Sequence, residues 1–327
     1  MNRRKILGIT LALAATTALA PYCAYAQSQY PTRPIRVVVP FAPGGVVDTI
    51  ARLWAQQAGP MFGTLVVDNR GGAGGVIGSG EVARSQPDGY TLLIGNTSTQ
   101  IINPAVMRQP PYDPAKDFVT VDIIAISVTS IMVHPSLPVK NLKDLIAYAK
   151  ANPGKLSYAS AGAGTLTHLA GEMFKQRAGG LDIVHVPYRG VGLAVSDFVS
   201  GYVPMMTPNV TGQLLALYRD GKIRILSVNG PTRLKAAPEI PTTIEFLPNM
   251  IAQLFTGIFA PAGTPGAVVD RVSQVTRKAL SDKGFQQKLI RSGFEPVLDS
   301  SPAKAQGFVD QERAELMPLI KATGFKK

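Results

Sequence analysis

Cysteine occurs once, at position 23, and histidine three times, at 134, 168 and 185. No two histidines stand at metal-ligand spacing and no cysteine supports them, so a zinc-type site has no basis. His134 before a proline and His185 in a strand read as structural. Charged residues are only 17% and aromatics only 7% of the chain. With no Lys/Arg block and so few aromatics, nucleic-acid binding lacks both of its usual signatures. No strict G-x-G-x-x-G is present. Gly78-Ser-Gly80-Glu-Val-Ala83 fits the looser form but lies in an expected helix rather than after a strand. Gly75 to Gly80 leads to Glu81 where a Walker A motif needs lysine, and no G-x-S-x-G elbow occurs. No cofactor is expected.

The lone cysteine falls within a segment that reads as a secretory signal peptide. Asn2-Arg3-Arg4-Lys5 is a positive start and Ile6 to Ala20 an apolar run. Ala24-Tyr25-Ala26 is a cleavage site before Gln27. The run is shorter than the roughly 20 residues a membrane helix needs. Arg3-Arg4 reads either as an ordinary basic start or as a twin-arginine export signal. Cys23 as a lipid anchor is the lesser alternative, because Ala20-Pro21-Tyr22 is a poor approach to a lipidated cysteine. Cleavage after Ala26 leaves a mature chain without cysteine, to be held by a hydrophobic core rather than by disulfides. The formal charge of +12 remains clearly positive after cleavage. It either draws small anions or serves solubility.

At 327 residues with 46% apolar content, the chain suits about two globular domains. Strands are expected at Ile35–Val39, Thr64–Val67, Thr91–Ile94, Leu156–Ala159, Ile183–Val186 and Ile223–Val228. Helical stripes alternate with them: Val47, Ile50 and Trp54, then Leu166, Leu169, Ala170, Met173 and Phe174. Asn141 with Asp144 forms an expected capping box. Such alternation predicts α/β architecture, each lobe a mostly parallel sheet flanked by helices. The last helices, from Val268 to Ala279 and up to about Ile320, read as cover for a sheet already built. The expected lobes are 27–127 with 250–327, and 128–249, the chain crossing near 125–135 and 240–255.

Two loops carry the chemistry. Pro40-Phe41-Ala42-Pro43-Gly44-Gly45-Val46-Val47-Asp48 joins a strand to a helix. Ser160-Ala161-Gly162-Ala163-Gly164-Thr165 does the same, with Thr165 as N-cap and His168 in the first turn. The first N–H groups of a helix have no internal partner, and the helix dipole favours an anion there. Two such loops facing each other across a hinge would converge on a carboxylate. Asp48 would contact the ligand side or merely cap its helix. His168 would touch the ligand or stand one layer behind it. The enzyme alternative is a serine hydrolase with Ser160 as nucleophile and His168 as base, for which no orienting carboxylate is evident.

These residues carry a family resemblance. Tyr30-Pro-Thr-Arg-Pro-Ile-Arg, Pro40-Phe-Ala-Pro-Gly-Gly, Asp68-Asn-Arg-Gly-Gly-Ala-Gly-Gly and Pro87-Asp-Gly-Tyr-Thr-Leu resemble the substrate-binding receptors of tripartite tricarboxylate transporters, the Bug family. So do Asn103-Pro, Pro111-Tyr-Asp-Pro, Tyr158-Ala-Ser-Ala-Gly-Ala-Gly-Thr with His168-Leu-Ala-Gly-Glu, Val186-Pro-Tyr-Arg-Gly and Ala260-Pro-Ala-Gly-Thr-Pro. The resemblance implies a two-lobed periplasmic-binding-protein fold of type 2, with a hinge and an interlobe cleft. It implies a periplasmic monomer that is not an enzyme, captures a small carboxylate and delivers it to integral membrane transporter subunits. The expected ligand-binding residues are Phe41, Gly44, Gly45, Val46, Val47, Asp48, Thr97, Ser98, Ser160, Ala163, Gly164, Thr165, His168, Tyr188 and Asn209. Where such receptors often carry acids, this chain has Pro204 and Pro208. Met205 and Met206 beside them either pack in the core or give the cleft a wall suited to an apolar or aromatic acid.

Overall fold

In a computed structural model, residues 30–322 are described; the leader assigned to residues 1–26 lies outside them. The first sheet takes six strands in the order β11-β4-β10-β3-β1-β2. These are β1 (Ile35–Val39), β2 (Leu65–Asn69), β3 (Thr91–Asn96), β4 (Phe118–Val128), β10 (Gln253–Pro261) and β11 (Glu295–Pro296). The second takes five, in the order β7-β6-β8-β5-β9. These are β5 (Ser130–Val133), β6 (Leu156–Ser160), β7 (Ile183–Pro187), β8 (Met205–Met206) and β9 (Arg224–Val228). Helices flank both sheets, giving an α/β fold of two lobes.

β1 is almost wholly buried, as expected for the Ile and Val of a central strand covered on both faces. It pairs in parallel with β2 and β3, and β6 pairs in parallel with β7 and β8. The other ladders are antiparallel. Each sheet is therefore mixed, which corrects the expectation of mostly parallel sheets. The reason lies in the strands that carry the chain between lobes. Parallel neighbours need a crossover connection. β4 and β10 instead run out of and back into the first lobe, so β10 lies antiparallel between β3 and β4.

The crossings meet in a ring of three backbone hydrogen bonds. Thr129 N–H donates to the Ala252 carbonyl at 3.0 Å, Ala252 N–H to Asn229 at 2.8 Å, and Asn229 N–H to Thr129 at 2.8 Å. Asn229 Nδ2 also donates to Thr129 Oγ1 at 2.7 Å. Both polar side chains are fully buried, so this network costs stability unless every member is paired.

Between two of the first lobe's helices, Trp54 is fully buried and its Nε1–H donates to Thr276 Oγ1 at 3.1 Å. That bond joins helix Val46–Phe62 to helix Gly266–Ser281. The second lobe has its own core around Met132, Phe198, Met206 and Leu215. Met205 and Met206 are both buried on the short strand β8, which favours the core reading for them. Among the described residues no helix is long and apolar enough to cross a membrane.

Candidate functional site

The first loop turns at Gly44, whose φ of 86° lies in the left-handed region that glycine tolerates. Gly44 N–H donates to Asp48 Oδ2 at 3.0 Å. The Asp48 carboxylate is 4% exposed and also accepts from Arg52 Nε at 3.0 Å and Asn69 Nδ2 at 2.9 Å. Asn69 Nδ2 reaches the Phe41 carbonyl as well, at 3.0 Å. Asp48 therefore folds back and fixes the loop that precedes it. No side chain caps the start of helix Val46–Phe62.

In the second loop most amides have partners. Ala161 N–H donates to Thr167 Oγ1 at 2.9 Å, Gly162 N–H to Ser160 Oγ at 3.1 Å, and Gly164 N–H to His168 Nδ1 at 3.3 Å. Thr165 Oγ1 accepts from His168 N–H at 3.3 Å, as an N-cap should. Leu166 N–H donates across the lobes to Ser98 Oγ at 2.9 Å. Ser98 thereby ties the start of helix Leu166–Arg177 to the first lobe.

Ser160 is hydrogen-bonded to His185 Nε2 at 2.6 Å, not to His168. This corrects the hydrolase alternative. The parallel register of β6 and β7 sets His185 opposite Tyr158, within reach of Ser160, while His168 Nδ1 is engaged by Gly164. Burial lowers the His185 imidazole to about 4, leaving a weak base. Ser160 itself is wholly buried. His134 Nδ1 bonds Ser136 Oγ at 2.8 Å in a turn, consistent with a structural role.

A cavity opens where the lobes meet. Its lining is Phe41, Gly45, Val46, Val47, Asn96, Ser98, Ala161, Thr165, Thr167, Val191, Asn209 and Leu254. No acidic or basic side chain is among them. Three helix starts contribute: Gly45 to Val47, Thr165 to Thr167, and Val191, which opens helix Val191–Val199. The lobes touch beside the cavity. Ala42 N–H donates to the Arg189 carbonyl at 3.4 Å. A Cβ on Gly74 would stand 2.5 Å from the Ala163 carbonyl oxygen, so only glycine permits that approach.

The family described as "Tripartite tricarboxylate transporter family receptor" matches residues 50–325. The chain belongs to this receptor family. A curated relative is the UPF0065 protein in the tcbD-tcbE intergenic region of Pseudomonas sp. (strain P51). It is 39% identical over 297 residues, covering 90% of this chain and 86% of the relative. Among solved structures, R. palustris Rpa4515 with adipate matches at TM-score 0.87 and 34% identity, covering 91% of this chain and 99% of that one. MatC from Rhodopseudomonas palustris with bound malate matches at 0.84 and 28%, covering 89% and 100%.

Within the receptor's cavity lining fall Phe41, Gly45, Val46, Val47, Ser98, Thr165 and Asn209 of the residues expected from sequence. The others stand elsewhere. Gly44, Asp48, Ser160, Gly164 and His168 hold the loops as described, and Ala163 turns its carbonyl towards Gly74. Thr97 Oγ1 accepts the Phe255 N–H at 3.0 Å. Tyr188 OH donates to Asp197 Oδ2 at 2.6 Å, and burial with that carboxylate raises its hydroxyl to about 12. Ala161, within the second loop but outside that set, also lines the cavity, and Asn96, Thr167, Val191 and Leu254 were not expected. Val191 follows the quoted Val186-Pro-Tyr-Arg-Gly motif, so a third strand–glycine–helix junction was legible. Leu254 carried no local signal, because β10 reaches the cavity only through the return crossing.

Proposed function

We propose that this protein is an exported, periplasmic receptor that captures a small organic carboxylate in the interlobe cavity and delivers it to a tripartite membrane transporter. The observation that carries the reading is three helix starts around one cavity whose lining holds no ionised side chain. An anion there would be met by backbone N–H groups and helix dipoles, at no cost of desolvating a cationic partner. The hydroxyls of Ser98 and Thr167 and the carboxamides of Asn96 and Asn209 would orient it. The absence of an acid in the lining leaves an ammonium group unmatched, so a carboxylate without an amino group fits better than an amino acid. The relatives with adipate and malate support the class. The protein would bind without turnover, since Ser160 is wholly buried outside the cavity lining and its His185 partner is a weak base.

A thermal-shift screen of organic acids including adipate and malate, with product analysis of each mixture, tests both parts. A bound acid raises the melting temperature by mass action, worth about 2.7 kcal/mol at a hundredfold excess over Kd. No stabilising acid, or conversion of the acid added, would overturn the reading.

A further inference from the structure

Two imidazoles are stacked against the second loop. The rings of His185, on β7, and His168, in the first turn of helix Leu166–Arg177, have centroids 3.6 Å apart and planes 9° from parallel. Tyr158 packs beside the pair, its ring centroid 5.0 Å from that of His185 and tilted by 31°. Each histidine reaches the loop by its own bond. His185 Nε2 pairs with Ser160 Oγ at 2.6 Å, and the same oxygen accepts Gly162 N–H at 3.1 Å. His168 Nδ1 accepts Gly164 N–H at 3.3 Å. Both loop glycines have positive φ, 131° and 81°, a backbone that needs outside support to stay fixed. The imidazole pair supplies it, directly at Gly164 and through Ser160 at Gly162.

We propose that the His168–His185 stack is the positioning device of the loop at 160–165, and that it holds the loop only while His168 Nδ1 carries no proton. This rests on that loop forming one wall of the carboxylate site. A loop fixed before the ligand arrives spares the binding step its ordering cost. A protonated Nδ1 is a donor, not an acceptor. It would face the Gly164 N–H, and an imidazolium at a helix start is further opposed by the dipole.

Among the described residues, charged and titratable groups face the pair from three elements. On the helix of His168 stand Glu172, with Oε1 3.9 Å from His168 Nε2, and Lys175, 3.0 Å from Glu172. From β6 comes Tyr158, whose OH donates to Glu172 Oε1 at 2.8 Å. From β7 comes His185. Glu172 is thus shared among Lys175, Tyr158 and His168. Burial holds the His185 imidazole down to about 4.

The test has two arms. In the unliganded protein, nitrogen-15 NMR should show His168 as the Nε2–H tautomer. The Gly164 amide should shift together with the His168 titration, while His185 stays neutral through that range. In the second arm adipate is the probe, and His168→Phe keeps a flat ring but removes the acceptor. Its affinity should fall about tenfold. His168→Asn, which keeps an acceptor at the δ position and takes no proton, should stay within about threefold of the parent. On acidification the parent should lose more affinity than His168→Asn, which has no proton to gain at that position. A Gly164 amide that ignores the His168 titration would overturn the proposal, as would a folded His168→Phe with parental affinity and pH profile. Failure of adipate to bind would bear on the proposed function and leave the NMR arm to decide this one.

Discussion

Gly192 of the second lobe packs against Pro43 of the first so closely that a Cβ added to it would lie 1.9 Å from the Pro43 carbonyl oxygen. The contact joins the first turn of helix Val191–Val199 to the loop before helix Val46–Phe62, beside the cavity that both help to line. The close approach of the two lobes at this point depends on a missing methyl group.

Gly192→Ala is therefore expected to separate stability from binding. Alanine favours a helix over glycine by about 1 kcal/mol, which offsets part of the cost of displacing the Pro43 carbonyl, so the melting temperature without ligand should change little. Affinity for the captured acid should drop about tenfold or more, because closure must displace backbone. Calorimetric titration checks this. Unchanged affinity would show that closure does not need the contact.

Asp48→Ala should loosen the first loop. The carboxylate accepts from Gly44, Arg52 and Asn69, and its removal leaves these donors to find water or go unpaired. A loss of about 2 kcal/mol in urea unfolding is expected, with weaker ligand binding. Parental stability would mean that the loop holds its shape without Asp48.

His185 sets an acid limit on stability. Its folded value of about 4 lies below the usual imidazole value of about 6.5. The unfolded chain then binds the extra proton between those values, so stability is fully present above about pH 6.5 and falls as pH drops towards 4. The loss attributable to this residue is about 3 kcal/mol at most. His185→Phe should flatten the dependence by up to one proton across that window, measured by urea unfolding at several pH values. An unaltered slope would contradict the burial argument.

Asp122 gives the opposite sign. The carboxyl is fully buried on β4 and accepts from Ser273 Oγ at 2.8 Å. Burial raises its pKa. Its folded form favours the proton, so ionisation at neutral pH costs stability that is recovered on acidification. Asp122→Asn should be the more stable protein at pH 7, by on the order of 1 kcal/mol, with the gap closing towards about pH 4. A gap independent of pH would rule out this assignment.

The elements with strong local patterning were legible in the sequence. Val47, Ile50 and Trp54 marked a helix face, and Thr165 marked a helix start because a hydroxyl at that place satisfies an orphan N–H. Asn141 with Asp144 was read as a capping box. Asn141 Oδ1 does accept Asp144 N–H at 3.0 Å, but Asp144 reaches back to Lys140 N–H at 2.9 Å. What escaped was long-range. Strands β4 and β10 pair only because the chain leaves and re-enters a lobe, and no periodicity announces that. The partner of Ser160 was misjudged for the same reason: His168 is closer in sequence, but the β6–β7 register delivers His185. Asn96 and Leu254 reach the cavity through strand pairing alone.

The most direct test of carboxylate capture is calorimetric titration of the acid that stabilises the protein best against its methyl ester. The ester keeps the body of the ligand and removes the charge. Charge-assisted hydrogen bonds to helix-start amides contribute about 1.5–3 kcal/mol each, so the acid should bind at least about tenfold more tightly than the ester. An ester that binds as well as its acid would contradict the anion-binding cavity at the centre of this account.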